Sequence, residues 1–226
     1  MKTKRHYFDF ETESRHSISA IKLIQKYISA ADRIVDVGCG DGRVAEYATN
    51  YIGLEVNSGN YPKSKNENVV HFENGNDLQA WLDESIRRND AIFCCDVLEH
   101  VDCIQKPVDT LISKLPNYIC FVVPNEMNIR NRARFLFGKL PTAHGYSQVN
   151  SKPGFRHLWF SDPKMFEKHI ISQFKDAGFK LKHDCWFIGI QKNKKISLKR
   201  WVWWLMALLL PASLMASERL FLLEHE

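Results

Sequence analysis

The six cysteines, Cys39, Cys94, Cys95, Cys103, Cys120 and Cys185, form no C-x-x-C pair and no Cys/His ligand spacing. A zinc site and a redox dithiol are therefore not expected, and no metal is. The opening stretch MKTKRHYFDFETESRH lacks the apolar core of a signal peptide. Free thiols without a leader point to a reducing, cytoplasmic compartment. There is no internal repeat and no low-complexity tract, so solenoid and disordered readings fall away. Acidic residues are missing from the whole interval between Asp184 and Glu218. That interval holds Lys192, Lys194, Lys195, Lys199 and Arg200, which equal the net charge of +5. A nucleic-acid binder would spread its cations through the fold, so no nucleic-acid partner is expected.

What is present reads as one α/β domain. The 226 residues are 45% hydrophobic and 25% charged, enough for a sizeable core. RIVDVG, YIGLEV, NVVHFE, DAIFCCDV and YICFVVP read as five strands, and FKLKHDCW as a sixth. ISAIKLIQKYI, LQAWLDESIRR and PVDTLISKL carry helical spacing, and DPKMFEKHIISQFKDAGF is a helix with Pro163 near its start and Gly178 at its end. Strands alternating with helices imply parallel crossovers and a doubly wound sheet. Residues 1–30 read as an N-terminal cap helix, 31–125 as a cofactor-binding half, 126–160 as an irregular acceptor-side segment and 161–226 as a C-terminal half.

VDVGCGDGR, residues 35–43, places Gly38, Gly40 and Gly42 between the first strand and the helical pattern RVAEYATNY. Such a turn holds a nucleotide-like ligand. Gly40, Gly42 and Ala45 also satisfy G-x-G-x-x-A, so the pattern alone leaves a nicotinamide dinucleotide, and with it a dehydrogenase, open. Glu55 at the end of the second strand suits ribose hydroxyls in either case. Asp36 favours a ligand bearing an ammonium or sulfonium, because a carboxylate repels a pyrophosphate.

VDVGCGDG resembles motif I of the class I S-adenosylmethionine-dependent methyltransferases, and GLEV, NGNDL and DAIFCCDVLEHVD resemble the blocks that follow it, in order, over residues 20–125. LEHV is similar to the small-molecule O-methyltransferases of quinone biosynthesis. VPNEMNIRNRARFLFGKLPT with HLWFS more loosely resembles the methyltransferase-like family of methionine biosynthesis. The resemblance implies a Rossmann-like, seven-stranded, mostly parallel sheet with an antiparallel last strand next to the fifth. It implies S-adenosylmethionine as cofactor, with Asp36, Gly38, Cys39, Gly40 and Gly42 on its methionine part, Glu55 on ribose, Asn76 or Asp77 at adenine, and Cys94 and Cys95 lining the pocket. The activity implied is methyl transfer to a hydroxyl of a small-molecule, lipid-linked or glycan acceptor. A methyltransferase-like binding protein that regulates a partner, and a homodimer, are alternatives of the same resemblance.

Candidate bases are His100 first, then His144, Tyr146 and His157, the last also suited to anchoring its loop. Arg130, Arg132 and Arg134 suit an anionic acceptor or a solvated face. Residues 201–217 carry no charge over 17 positions, against roughly 20 for a spanning helix and about 17 as its lower limit, and Pro211 interrupts them. Cations before the run and three tryptophans at its head suit a membrane interface over 192–216, with a partner subunit, a greasy acceptor or packing in the core as the alternatives. RLFLLEH is the preferred seventh strand and FIGIQK its rival. With RLFLLEH in the sheet, residues 199–217 become a helical insertion between strands six and seven.

Overall fold

A computed structural model describes residues 4–9, 16–48, 50–56, 66–141, 144, 157–190 and 198–225. Among the described residues eight strands form: β1 (Lys4–Asp9), β2 (Arg33–Val37), β3 (Tyr51–Val56), β4 (Val69–Phe72), β5 (Asp90–Cys95), β6 (Tyr118–Pro124), β7 (Phe179–Ile190) and β8 (Glu218–His225). They make one sheet in the order β1-β7-β8-β6-β5-β2-β3-β4. Every neighbouring pair is parallel except those of β8, which is antiparallel to β6 and β7. This is the expected doubly wound sheet, with RLFLLEH as the antiparallel strand and FIGI absorbed into the end of β7.

Two helical layers explain why the central strands are apolar throughout. One face of the sheet is covered by α2 (Gly75–Ser85), α3 (Gln105–Lys114) and the helical stretch α5 (Pro163–Phe166), π-turn (Glu167–Ile171) and α6 (Ser172–Asp176). Phe121, Phe174 and Phe221 are fully buried there. The other face receives α1 (His16–Ile28), whose Ile21, Ile24 and Ile28 recur at helical spacing and are all buried.

Three expectations are corrected. The sheet has eight strands, not seven. The added strand comes from the stretch read as a cap helix: β1 pairs with the end of β7 from Lys4↔Cys185 to Asp9↔Ile190. That pairing occupies an edge of β7 whose polar backbone groups would otherwise lack partners. After the glycine turn there is only a five-residue 3-10 turn, Arg43–Tyr47, because β3 begins at Tyr51 and leaves no room for a full helix.

The apolar run forms α7 (Leu198–Leu209) and α8 (Ala212–Met215), between β7 and β8. Pro211, which has no N–H to donate, sits at the break. Ala207, Met215 and Ala216 are buried against Trp186 and Ile188. The Arg5 guanidinium closes the end of α7, donating to the carbonyls of Ala207 and Leu210 at 2.8 and 3.1 Å. Among the described residues no helix is long and apolar enough to cross a membrane.

Candidate active site

The chain leaves β2 toward β3 on one side, while β5 returns on the other. A crevice opens at the carboxyl ends of strands where the order reverses in this way. Here it is a cavity of about 840 Å³ bordered by Asp36, Gly38, Gly40, Glu55, Asn76 and His100. Gly38, Gly40 and Gly42 all take positive φ, at 69°, 60° and 74°. At Gly38 a Cβ would stand 2.5 Å from Val97 Cγ2, so only glycine lets this loop lie against the end of β5.

Asp36 is buried at the floor, where the Tyr51 hydroxyl donates to it at 2.8 Å. Burial pushes its carboxyl up to about 7; the Tyr51 hydrogen bond pulls the other way and the Glu55 charge adds to the rise. Such a group is poised to be ionised by a cationic ligand. Glu55 accepts the Gly40 N–H at 2.5 Å and ties the glycine turn to the end of β3. Burial raises its carboxyl as well, against the hydrogen bonds from the Gly40 and Val56 N–H groups. Cys39, Cys94 and Cys95 also border the cavity, with thiols pushed up by burial. They remain uncharged, which suits packing rather than nucleophilic attack.

Of the two residues expected near adenine, only Asn76 borders the cavity. Asp77 is held in the α2 cap: Asn74 accepts the N–H groups of Asn76 and Asp77 at 2.9 and 3.1 Å and donates its amide to the Asp77 carboxylate at 2.9 Å.

Three candidate bases converge beyond the strand ends. His100 ends the 3-10 turn Leu98–His100 and stands edge-on to His157 at 4.9 Å between ring centroids. His157 Nδ1 lies 3.0 Å from Glu126 Oε1, and His144 Nε2 lies 2.9 Å from the same oxygen. The Ser161 N–H donates to the other Glu126 oxygen at 2.7 Å. Burial would raise Glu126, but the hydrogen bonds from His157, Ser161 and His144 outweigh it and hold the carboxyl below its usual range. Burial would lower His157, but Glu126 and the Glu99 charge outweigh it and push the imidazole up. Glu99, nearly enclosed, is pushed up to about 8 by burial, with Asp96 adding to it. His157 and Glu126 thus form an ion pair. Ligand atoms of Glu99, His100 and His157 lie within 4.8 Å of one another, as do those of Glu126, His144 and His157, so either triad has the donors for a divalent cation. Tyr146 lies outside the described residues. Arg130 stacks on the Trp203 ring at 4.1 Å and Arg134 donates to the Leu140 carbonyl at 2.9 Å, so both guanidinium groups make contacts within the chain.

Residues 10–183 match the family model described as a methyltransferase domain. The chain belongs to the methyltransferase-domain family. Ubiquinone biosynthesis O-methyltransferase of Rickettsia typhi (strain ATCC VR-144 / Wilmington) is 31% identical to it over 129 residues, 54% of this chain and 50% of that protein. The match thus spans half the length of that curated relative. A SAM-dependent methyltransferase from Archaeoglobus fulgidus aligns over 95% of this chain and 97% of its own at TM-score 0.54 and 16% identity. The methyltransferase domain of bacterial CtHen1 aligns over 93% and 98% at TM-score 0.54 and 14% identity. At these identities the likeness speaks for the fold. The class I methyltransferase expected from the motifs is the family found, and S-adenosylmethionine is the cofactor of that fold. The residues present fit it: a glycine turn with no room for a Cβ at Gly38, a buried carboxylate for an ammonium and an acid at a strand end for ribose.

Sequence reasoning missed Tyr51, Glu99 and Glu126. Glu99 is the neighbour of His100 in LEH, and Glu126 is the first acid after the fifth apolar strand. An acid beside a candidate histidine, and one just past a strand's carboxyl end, were the available signals.

Proposed function

We propose that this methyltransferase moves the methyl group of S-adenosylmethionine to a hydroxyl of a small-molecule, lipid-linked or glycan acceptor, with His100 as the base. One observation carries the reading. Among the described residues, His100 is the one histidine bordering the cavity that the glycine turn also borders. The hydroxyl acceptor is supported by the name of the Rickettsia typhi relative, an O-methyltransferase.

When bound, the cofactor supplies a methyl group on a sulfonium, open to in-line displacement. The chain's own residues position and shield. Asp36 holds the ammonium, Glu55 the ribose hydroxyls and Asn76 the adenine edge. His100 takes the hydroxyl proton as the oxygen becomes nucleophilic. The Glu126–His157 pair keeps the neighbouring loop in place behind it. The apolar segment within 192–216 touches a membrane surface, and the enzyme works at its inner face in a reducing compartment, where all six cysteines stay free.

The test uses purified protein, methyl-labelled cofactor and lysate from cells lacking the protein. Label is counted in solvent-extractable, macromolecular and small polar fractions. The reading expects label that survives mild alkali, as an ether does and a methyl ester does not, and loss of that label in His100→Ala. Cofactor binding with no label in any fraction would replace the enzyme with a regulatory binding protein.

A further inference from the structure

The charge of this chain is segregated. Residues 127–161 contain no acid and six cations, and residues 185–217 contain no acid and five. Of the 31 cations these segments hold 11, so the remaining 20 face all 26 acids and the rest of the chain carries a net −6. The two cationic segments are also where large apolar side chains stand in solvent.

The fold joins them. α4 (Ile129–Leu136) follows the carboxyl end of β6, and α7 and α8 lead into the start of β8. Pro124 is paired with Glu218, so both insertions leave the sheet at the same end. That is also the end where the cavity opens. Arg130 of α4 lies over the Trp203 ring of α7, and Ile129 packs on the cluster formed by Ala207, Met215 and Trp186. Beyond this seam Leu136 is 86% exposed and Phe137 79% on the α4 side, and Trp201 53% and Leu209 73% on α7. Trp159, nearly half exposed, donates its indole N–H to the Val101 carbonyl at 2.7 Å, beside His100 at the cavity rim.

We propose that α4 and α7 form one face that docks on an anionic lipid bilayer and sets the cavity mouth at the bilayer surface. The proposal rests on the membrane contact proposed above for 192–216 and deepens it by adding α4 and the charge of the lipid; it does not depend on methyl transfer. Arg132 and Lys139 stand exposed beside the apolar side chains of the α4 side, and the sequence puts Lys199 and Arg200 at the head of α7; cations with exposed leucine, phenylalanine and tryptophan match an anionic headgroup layer over acyl chains. A nucleic acid would leave the apolar residues without a partner. A second copy docked by the same face would set cations against cations. The twelve residues of α7 reach about 18 Å along a helix, against about 30 Å of bilayer core, so the helix lies on the surface and does not span it.

Co-sedimentation with vesicles of phosphatidylcholine alone, and of phosphatidylcholine with one quarter phosphatidylglycerol, tests this. The full chain should pellet with the anionic vesicles at least tenfold more strongly than with the neutral ones, and the binding should fall as salt is raised. Leu136→Glu/Phe137→Glu and Trp201→Glu/Leu209→Glu should each weaken it at least tenfold while binding S-adenosylhomocysteine as the parent does, which shows that they are folded. Equal binding to both vesicle types, or none, overturns the proposal. So does loss in the α7 variant with the α4 variant unchanged, because a single joint face requires both. Methyl transfer in detergent extract is measured separately. Transfer without vesicle binding rejects the docking alone, and vesicle binding without transfer rejects the enzymatic reading alone.

Discussion

Asp36 makes cofactor binding dependent on pH, with a sign that can be worked out. Its carboxyl sits at about 7 in the free protein, raised chiefly by burial. A ligand ammonium favours the ionised form, so binding must expel the proton from whatever fraction holds one. At pH 8 the group is about ten to one ionised and at pH 6 about one to ten. The affinity for S-adenosylhomocysteine should therefore fall about tenfold from pH 8 to pH 6, or about 1.4 kcal/mol. Titration calorimetry at pH 7, in buffers of different ionisation heat, should find about half a proton released on binding. Asp36→Asn should bind more weakly and lose this pH dependence. Tyr51→Phe removes the hydrogen bond that lowers the carboxyl, so its inflection should move to higher pH. Flat affinity between pH 6 and pH 8 in the parent, or proton uptake on binding, would refute the reasoning.

Gly38→Ala puts a Cβ against Val97 and asks alanine to hold a φ of 69°. The overlap and the backbone together should cost about 2–5 kcal/mol and lower Tm by roughly 5–15 °C. Adding Val97→Ala should return part of that loss, and strict additivity of the two changes by thermal unfolding would sink the steric account. His100→Ala should lower kcat by about 10²–10⁴-fold and leave S-adenosylhomocysteine affinity within about twofold in calorimetry. Glu126→Gln should destabilise by about 1–3 kcal/mol. Glu126 is held below its usual 4.5, so its contribution is complete above that value and is lost as pH falls through the lowered one. His157 is raised above 6.5, so its contribution is complete below that value and is lost as pH rises through the raised one. Denaturant titrations should find the largest gap between parent and variant from about pH 4.5 to 6.5.

Local pattern was enough wherever one element carried the signal. Apolar runs bounded by turn residues identify β2 to β6, because a strand covered on both faces has to be apolar throughout. The glycines of VDVGCGDG identify the tight turn, since backbone at positive φ favours glycine locally. The ordered acids Asp36 and Glu55 identify the ligand wall by their places at strand ends. Pro211 and the length of the run before it identify a broken helix that falls short of a bilayer.

What the tertiary structure alone decided are relations between distant residues. β1 is a strand because β7, next to β8, offers its other edge for pairing, a fact KRHYFD does not contain. Asn76 and not Asp77 borders the cavity because Asn74 draws Asp77 into the helix cap. His144 and His157 meet on Glu126 only once chain separations of 18 and 31 residues are closed. The charge of α4 and α7 is legible residue by residue. That α4 and α7 lie at the same end of the sheet follows from Pro124 pairing with Glu218, because the strand pairing brings both insertions out together.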